Sequence, residues 1–279
     1  EEMIHNLLKK RIAAKTICIT FDDGYADNYK YALPILEKYG CPATFFITSS
    51  MIANQELYWW DQLQSIILCQ YQLPSSLSID VNGTLVEHHF DNLGLLSEAD
   101  WNDTQAWCFE KESESQRCQL FKTLWSRLKS LSLSDQQKVL QQLKKWSALP
   151  TYDDKDYQLM TLDNLHYISQ HPLFNLGIHT HTHTSLDLWE ESIQYQEINA
   201  CKVFLESNQL SSLPSISYPY GDYNECTIAV TKAQNIISGF TTNEQAVTNK
   251  TNPLSIGRFQ VKNWNAPVFQ KHLQHWLKS

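Results

Sequence analysis

No stretch of this 279-residue chain approaches the roughly 18 uninterrupted apolar residues of a membrane-spanning helix. The opening Glu1-Glu2-Met3-Ile4 has neither the basic nor the apolar region of a secretory leader. The sequence therefore reads as a soluble chain with no transmembrane segment, while a first residue other than Met leaves room for a trimmed leader or anchor. Positive charge is scarce: 22 Lys and Arg stand against 30 Asp and Glu, for a formal net charge of −8. That balance gives no electrostatic reason to bind a polyanion and argues against a nucleic-acid partner. With only 8 Gly and 9 Pro, collagen-like and low-complexity classes drop out. The seven cysteines, at 18, 41, 69, 108, 118, 201 and 226, are odd in number and include no Cys-x-x-Cys, so neither a zinc ribbon nor a redox dithiol is readable. They fit buried thiols of a reducing compartment, which favours the cytoplasm, better than a disulfide framework. What is present is 42% apolar and 12% aromatic residues, enough for a sizeable core. At roughly 150 residues per domain the length allows one large domain or one domain with an insertion.

Thr16 to Phe21 is an apolar, β-branched run that stops at Asp22-Asp23-Gly24, which predicts a buried strand ending in a loop. Asp27-Asn28 then caps a helix carrying Tyr31, Leu33, Ile35 and Leu36, bent at Pro34 and ended by Gly40 and Pro42. Ala43 to Thr48 is a second buried strand, and β-α-β implies a parallel sheet with helices outside. From about Leu57 to Gln158 the texture changes to Gln, Ser, Lys and Leu at helical spacing, the mark of an insertion. Residues 78–86 alternate around Asn82-Gly83, a hairpin signal, and 103–147 should be two helices. Trp59, Trp60, Trp101, Trp107, Trp125 and Trp146 either pack this insert onto the main core or line a sugar-binding wall. The insert is expected beside the main domain, supplying part of a substrate cleft but no metal ligand. The β-α rhythm resumes with helices at 162–170, 193–207, 225–234 and 267–277 and strands at 174–178, 215–218, 236–241 and 254–261. Some six parallel strands favour a closed or nearly closed β/α barrel, with a doubly wound open sheet as the alternative.

Two clusters stand where buried strands run out, the edge at which parallel β/α folds collect functional side chains. One is Asp22-Asp23 and the other His179-Thr180-His181-Thr182-His183. As a helical turn, His179 and His183 share a face; as a strand, 179, 181 and 183 do. Either offers at least two imidazoles, and one carboxylate completes a two-His, one-carboxylate set for a divalent cation. Such a cation acidifies water, and the second Asp is free to accept the proton.

These residues resemble the polysaccharide deacetylases of the NodB-homology type, carbohydrate esterase family four. Thr20-Phe21-Asp22-Asp23-Gly24 is similar to the family's first motif, Gly177 to His183 to its second, and Ser217-Tyr218-Pro219-Tyr220-Gly221 to its third. Pro42 to Phe46 and Ile256 to Val261 extend the similarity, which covers about 15–50 and 160–279. The resemblance implies an α/β fold, a distorted (β/α) barrel of the NodB-homology type, here one domain over 1–279 with a large, mainly helical insertion at about 57–158. It also implies a hydrolase that removes N-acetyl groups from aminosugars of a polysaccharide or glycan precursor with a divalent metal ion, most often zinc. By motif position Asp23, His179 and His183 are the metal ligands, Asp22 the catalytic base, and the Tyr220 backbone N–H the oxyanion donor.

Two departures from the family pattern matter. An Arg usually opens the third motif and tethers the catalytic Asp, but Ser217 stands there, and Arg258 near a predicted strand end is the candidate replacement. The family's late Leu-x-His, whose His protonates the leaving amine, is not recognisable; His272 and His275 fall in a predicted helix, and His181 is the nearest spare imidazole. Beside the N-deacetylase stand two alternatives, a non-catalytic carbohydrate-binding relative and an O-acetyl esterase or N-deformylase on the same scaffold.

Overall fold

The structure, a computed structural model, describes residues 1–13, 15–91, 94–98, 101–102, 104, 107, 109, 111–113, 115–148 and 157–277. Cys108 and several positions of the helical reading over 103–147 lie outside the described residues. The chain divides into two compact units, Glu1–Glu56 with Leu159–Ser279, and Leu57–Gln158. Among the described residues the strands are β1 (Ile19–Phe21), β2 (Ala43–Ile47), β3 (Ser76–Val81), β4 (Thr84–His89), β5 (Phe174–Ile178), β6 (Ser212–Ser217) and β7 (Ser238–Phe240).

In the first unit five strands form one parallel sheet in the order β1-β2-β5-β6-β7. The order never reverses, so there is no switch point of the doubly wound kind; the sheet is a curled half-barrel, the distorted barrel that the motifs imply. Four of the five residues of β2 and of β5 are buried, because a parallel strand covered on both faces is apolar throughout. Phe46 and Phe240 meet at a centroid distance of 5.2 Å in a core shared with Ile256 and with Met3, Ile4 and Leu7 of helix Glu2–Leu8. Gly177 is required beside them: a Cβ there would come 2.5 Å from the Phe46 ring.

The structure differs from the sequence reading in several places. The expected helix after Asp27 begins as a wide π-turn, Asn28–Ala32, and becomes α-helical only over Leu33–Lys38; Pro34, lacking an N–H, falls at the start of the α segment, where none is needed. Residues 254–261 are not a sixth strand but touch β7 through the single parallel bridge Phe240–Ile256. Pro253 has no N–H to extend the ladder, and past Ile256 the Arg258 N–H pairs with the Asn243 carbonyl, not with that of Thr241, which accepts from Arg258 Nε instead. Helix Ser49–Asn54 was not legible, being six residues long and too short for a period.

The second unit contains helices Trp59–Ile67, Gln116–Leu128 and Leu133–Ser147. Its hairpin β3–β4 turns at Asn82 and Gly83, both with positive φ (51° and 82°). Leu77, Ile79 and Val81 alternate inward along β3. Trp59 packs on Trp125 at 5.7 Å, and the Trp146 indole donates to the Ser76 carbonyl, so these rings find partners within the unit. Among the described residues no helix is long and apolar enough to cross a membrane. The six cysteines described are free thiols.

Candidate active site

The C-terminal ends of β1, β5 and β6 deliver the site. Past Phe21 the chain makes a tight turn in which Gly24 N–H donates to Asp22 O at 2.9 Å. Asp23 takes φ 72° and Gly24 φ 82°, so adjacent carboxylates leave the strand in different directions. Past Ile178 the residues 179–183 are neither helix nor strand but a loop with left-handed Thr180 and His183. That reversal, rather than either regular period, brings His179 and His183 together, their ring centroids 4.8 Å apart.

Asp23 Oδ1 lies 3.2 Å from Nε2 of His179 and 3.2 Å from Nε2 of His183. Among the described residues this trio is the one group able to hold a metal ion, with one ligand atom from each residue, all within 4.8 Å of one another. His179 Nδ1 bonds the Ser217 carbonyl at 2.7 Å. A carbonyl only accepts, so Nδ1 carries a proton and Nε2 is the ring atom turned on the Asp23 carboxylate. Two ring nitrogens closing on one carboxylate oxygen call for positive charge between them, as protons or as a metal ion. The 3.2 Å contacts compare with about 3.4 Å between ligands bound at ~2.1 Å to a tetrahedral ion. The residues fit a divalent cation, and all three come from the first unit.

Asp22 belongs to a separate network. Arg258 Nη1 and Nη2 donate to its Oδ1 and Oδ2 at 2.8 and 2.7 Å, a bidentate pair. Nη1 also donates to Thr20 Oγ1, Nη2 to Ser217 Oγ, and Nε to the Thr241 carbonyl. All five guanidinium donors are thus engaged. These acceptors lie on or beside β1, β6 and β7, so the guanidinium spans the opening between the sheet's two edges, β1 and β7. Ser217 Oγ gives Asp22 Oδ2 a further bond at 3.0 Å. Burial opposes ionisation of Asp22, but the nearby Arg258 charge and then His179 outweigh it and hold the carboxyl below its usual range. Burial likewise opposes ionisation of Asp23, and hydrogen bonds from both histidines outweigh it. At His183 burial prevails and lowers the imidazole pKa.

Tyr220 has φ 60° within the turn Pro219–Gly221, and its ring stands edge-on to His183 at 4.6 Å. The structure thus brings Asp22, Asp23, His179, His183, Tyr220 and Arg258 to one edge of the sheet. It does not bring His181 into the trio: Nδ1 of that ring meets Ser49 Oγ at 2.8 Å. His272 stacks on Trp264 at 3.9 Å. Sequence reasoning missed the work of Ser217, whose carbonyl fixes His179 and whose hydroxyl bonds Asp22; its only signal was its place in the third motif.

The family profile described as polysaccharide deacetylase matches residues 9–68 and 151–237. Over 57 residues the chain is 40% identical to YxkH of Bacillus subtilis, a protein named for the same family, across 20% of each chain. It is 20% identical to the poly-beta-1,6-N-acetyl-D-glucosamine N-deacetylase of Staphylococcus aureus, over 99% of this chain and 63% of that one. The chain therefore spans less than two thirds of the length of these curated relatives. Among solved structures, the Streptococcus pyogenes deacetylase PplD in complex with acetate shares the fold, with a TM-score of 0.56 at 17% identity over 98% of this chain and 76% of that one. Because the profile takes in β1, β2, β5 and β6, with the residues that project from their ends, and more than half of the sequence, the chain belongs to the polysaccharide deacetylase family.

Proposed function

We propose that this chain is a metal-dependent hydrolase that removes N-acetyl groups from aminosugars of a polysaccharide, of the poly-N-acetylglucosamine class named for its staphylococcal relatives. The observation that carries the reading is the division of labour between adjacent carboxylates: Asp23 faces two imidazoles, and Asp22 faces a guanidinium. Asp23, His179 and His183 would hold the ion, for which zinc suits one oxygen and two nitrogen ligands. A divalent cation there supplies Lewis acidity toward an amide carbonyl and acidifies water. Asp22, kept ionised, accepts the proton from the attacking water. Arg258 and Ser217 are positioning residues, holding Asp22 in one orientation. The Tyr220 backbone N–H supports the charge that develops on the amide oxygen during attack. Residues 57–158 are read as an insertion in a single deacetylase domain, contributing to glycan binding and no metal ligand.

The experiment is acetate and formate release from N-acetyl, N-formyl and O-acetyl aminosugar oligomers. The proposal expects turnover of the N-acetyl oligomer above the other two. Preference for O-acetyl or N-formyl sugars would move the chain to an esterase or deformylase, and binding without turnover would make it a non-catalytic carbohydrate binder.

A further inference from the structure

Thr180 and His183 both have left-handed backbone, at φ 65° and 59°. That conformation is unfavourable for residues bearing side chains and persists only where the surroundings over-determine it. Between the two, the N–H groups of His181 and Thr182 converge on one atom, Glu197 Oε2, at 3.0 and 2.8 Å. Glu197 Oε1 accepts from Thr182 Oγ1 at 2.8 Å. Successive backbone N–H groups aimed at one point make an anion-binding concavity, and a carboxylate is its strongest side-chain occupant because charge-assisted bonds are roughly twice as strong as neutral ones. Glu197 belongs to helix Glu191–Ser207, which is anchored by Ile198, Cys201 and Leu205 in the core. The loop is also held at its carbonyls: Ser49 N–H donates to Thr180 O, and Ser50 N–H to His181 O. The His179 N–H goes to the Ile47 carbonyl and the His183 N–H to Thr180 Oγ1, and Glu197 takes the two amides between them, midway between the two histidines of the trio.

We infer that Glu197 is a positioning residue for the metal site. It fixes the turn between His179 and His183 so that both Nε2 atoms converge on Asp23. The inference rests on the metal reading of that trio and adds to it a residue outside the strand-end motifs.

The test is zinc titration of the metal-stripped 279-residue chain against a competing chelator, with cobalt(II) as a spectroscopic probe of ligand geometry. Glu197→Gln keeps the reach, since its amide oxygen can accept both N–H bonds and its NH₂ can turn to Thr182 Oγ1. Glu197→Asp keeps the charge but draws back by one methylene, and Glu197→Ala removes all three bonds. Positioning by reach predicts a smaller loss of zinc affinity for Gln, which gives up only the charge, than for Asp and Ala, which should weaken by about 10- to 100-fold, the range for losing a group that orients a ligand. The cobalt spectrum of the Asp variant should change as well. A merely structural role would lower the melting temperature without altering zinc affinity or the cobalt spectrum of the folded protein. Unchanged affinity in the folded Asp variant overturns the inference, as does a Gln variant weaker than Asp, which would make charge the requirement. If Glu197→Ala does not fold, the comparison of Gln with Asp decides. Failure of the wild type to take up zinc contradicts the metal reading itself, a result distinct from unchanged variants.

Discussion

At the scale of residues, Asp22 and Asp23 are neighbours in sequence with opposite surroundings, and substitution should separate them. Asp22→Asn keeps the shape and loses the base, so metal content should hold while turnover falls by about 10² to 10⁴. Asp23→Asn should lose the metal, as read by elemental analysis; equal metal loss in both variants contradicts the assignment. Arg258→Gln removes the cation that holds Asp22 below the usual carboxylate range. The base acts when deprotonated, so raising its pKa moves the acidic limb of the kcat/KM profile to higher pH. Loosening its position should lower kcat by about 10² as well. An unaltered pH profile would remove Arg258 from this role. Asp22 and Asp23 were legible because they stand where an apolar run stops. The Arg258–Asp22 link joins residues 236 apart, so from sequence it was visible only as a vacancy and a candidate.

At the scale of elements, the strands were legible and the loops between them were not. Buried parallel strands leave continuous apolar runs, and β2 and β5 do so plainly. Residues 254–261 alternate apolar with polar residues as a strand would, yet only Ile256 is buried and they form one bridge, because the Arg258 N–H pairs with Asn243 instead of continuing the ladder. The path of residues 179–183 could not be read as either helix or strand, since its geometry depends on left-handed Thr180 and His183 and on amide contacts with Glu197 from another element. Gly177 tests how tightly β5 and β2 fit. With a Cβ placed 2.5 Å from the Phe46 ring, Gly177→Ala should cost about 1–3 kcal/mol by overpacking, measured as a shift in the denaturant midpoint. No shift would mean that the ring yields freely and that the glycine is not demanded by packing.

At the scale of the whole molecule, the site ties residues 22–23, 179–183, 217–220 and 258 into one arrangement, so an ion that binds only the folded chain must stabilise it. At a free concentration of 100 times the dissociation constant the gain is about 2.7 kcal/mol, which should appear as a rise in Tm on adding zinc. His179→Ala should abolish stoichiometric metal and that rise together. A variant that keeps a full equivalent at the same affinity would show the ligands to be elsewhere. The most direct test of the proposed function joins metal to turnover in one sample: strip the protein with chelator, add zinc back in steps, and follow acetate release from N-acetylglucosamine oligomers. Activity should vanish on stripping and return in proportion to bound zinc, reaching its plateau at one equivalent. Full activity in the metal-free protein would contradict the account.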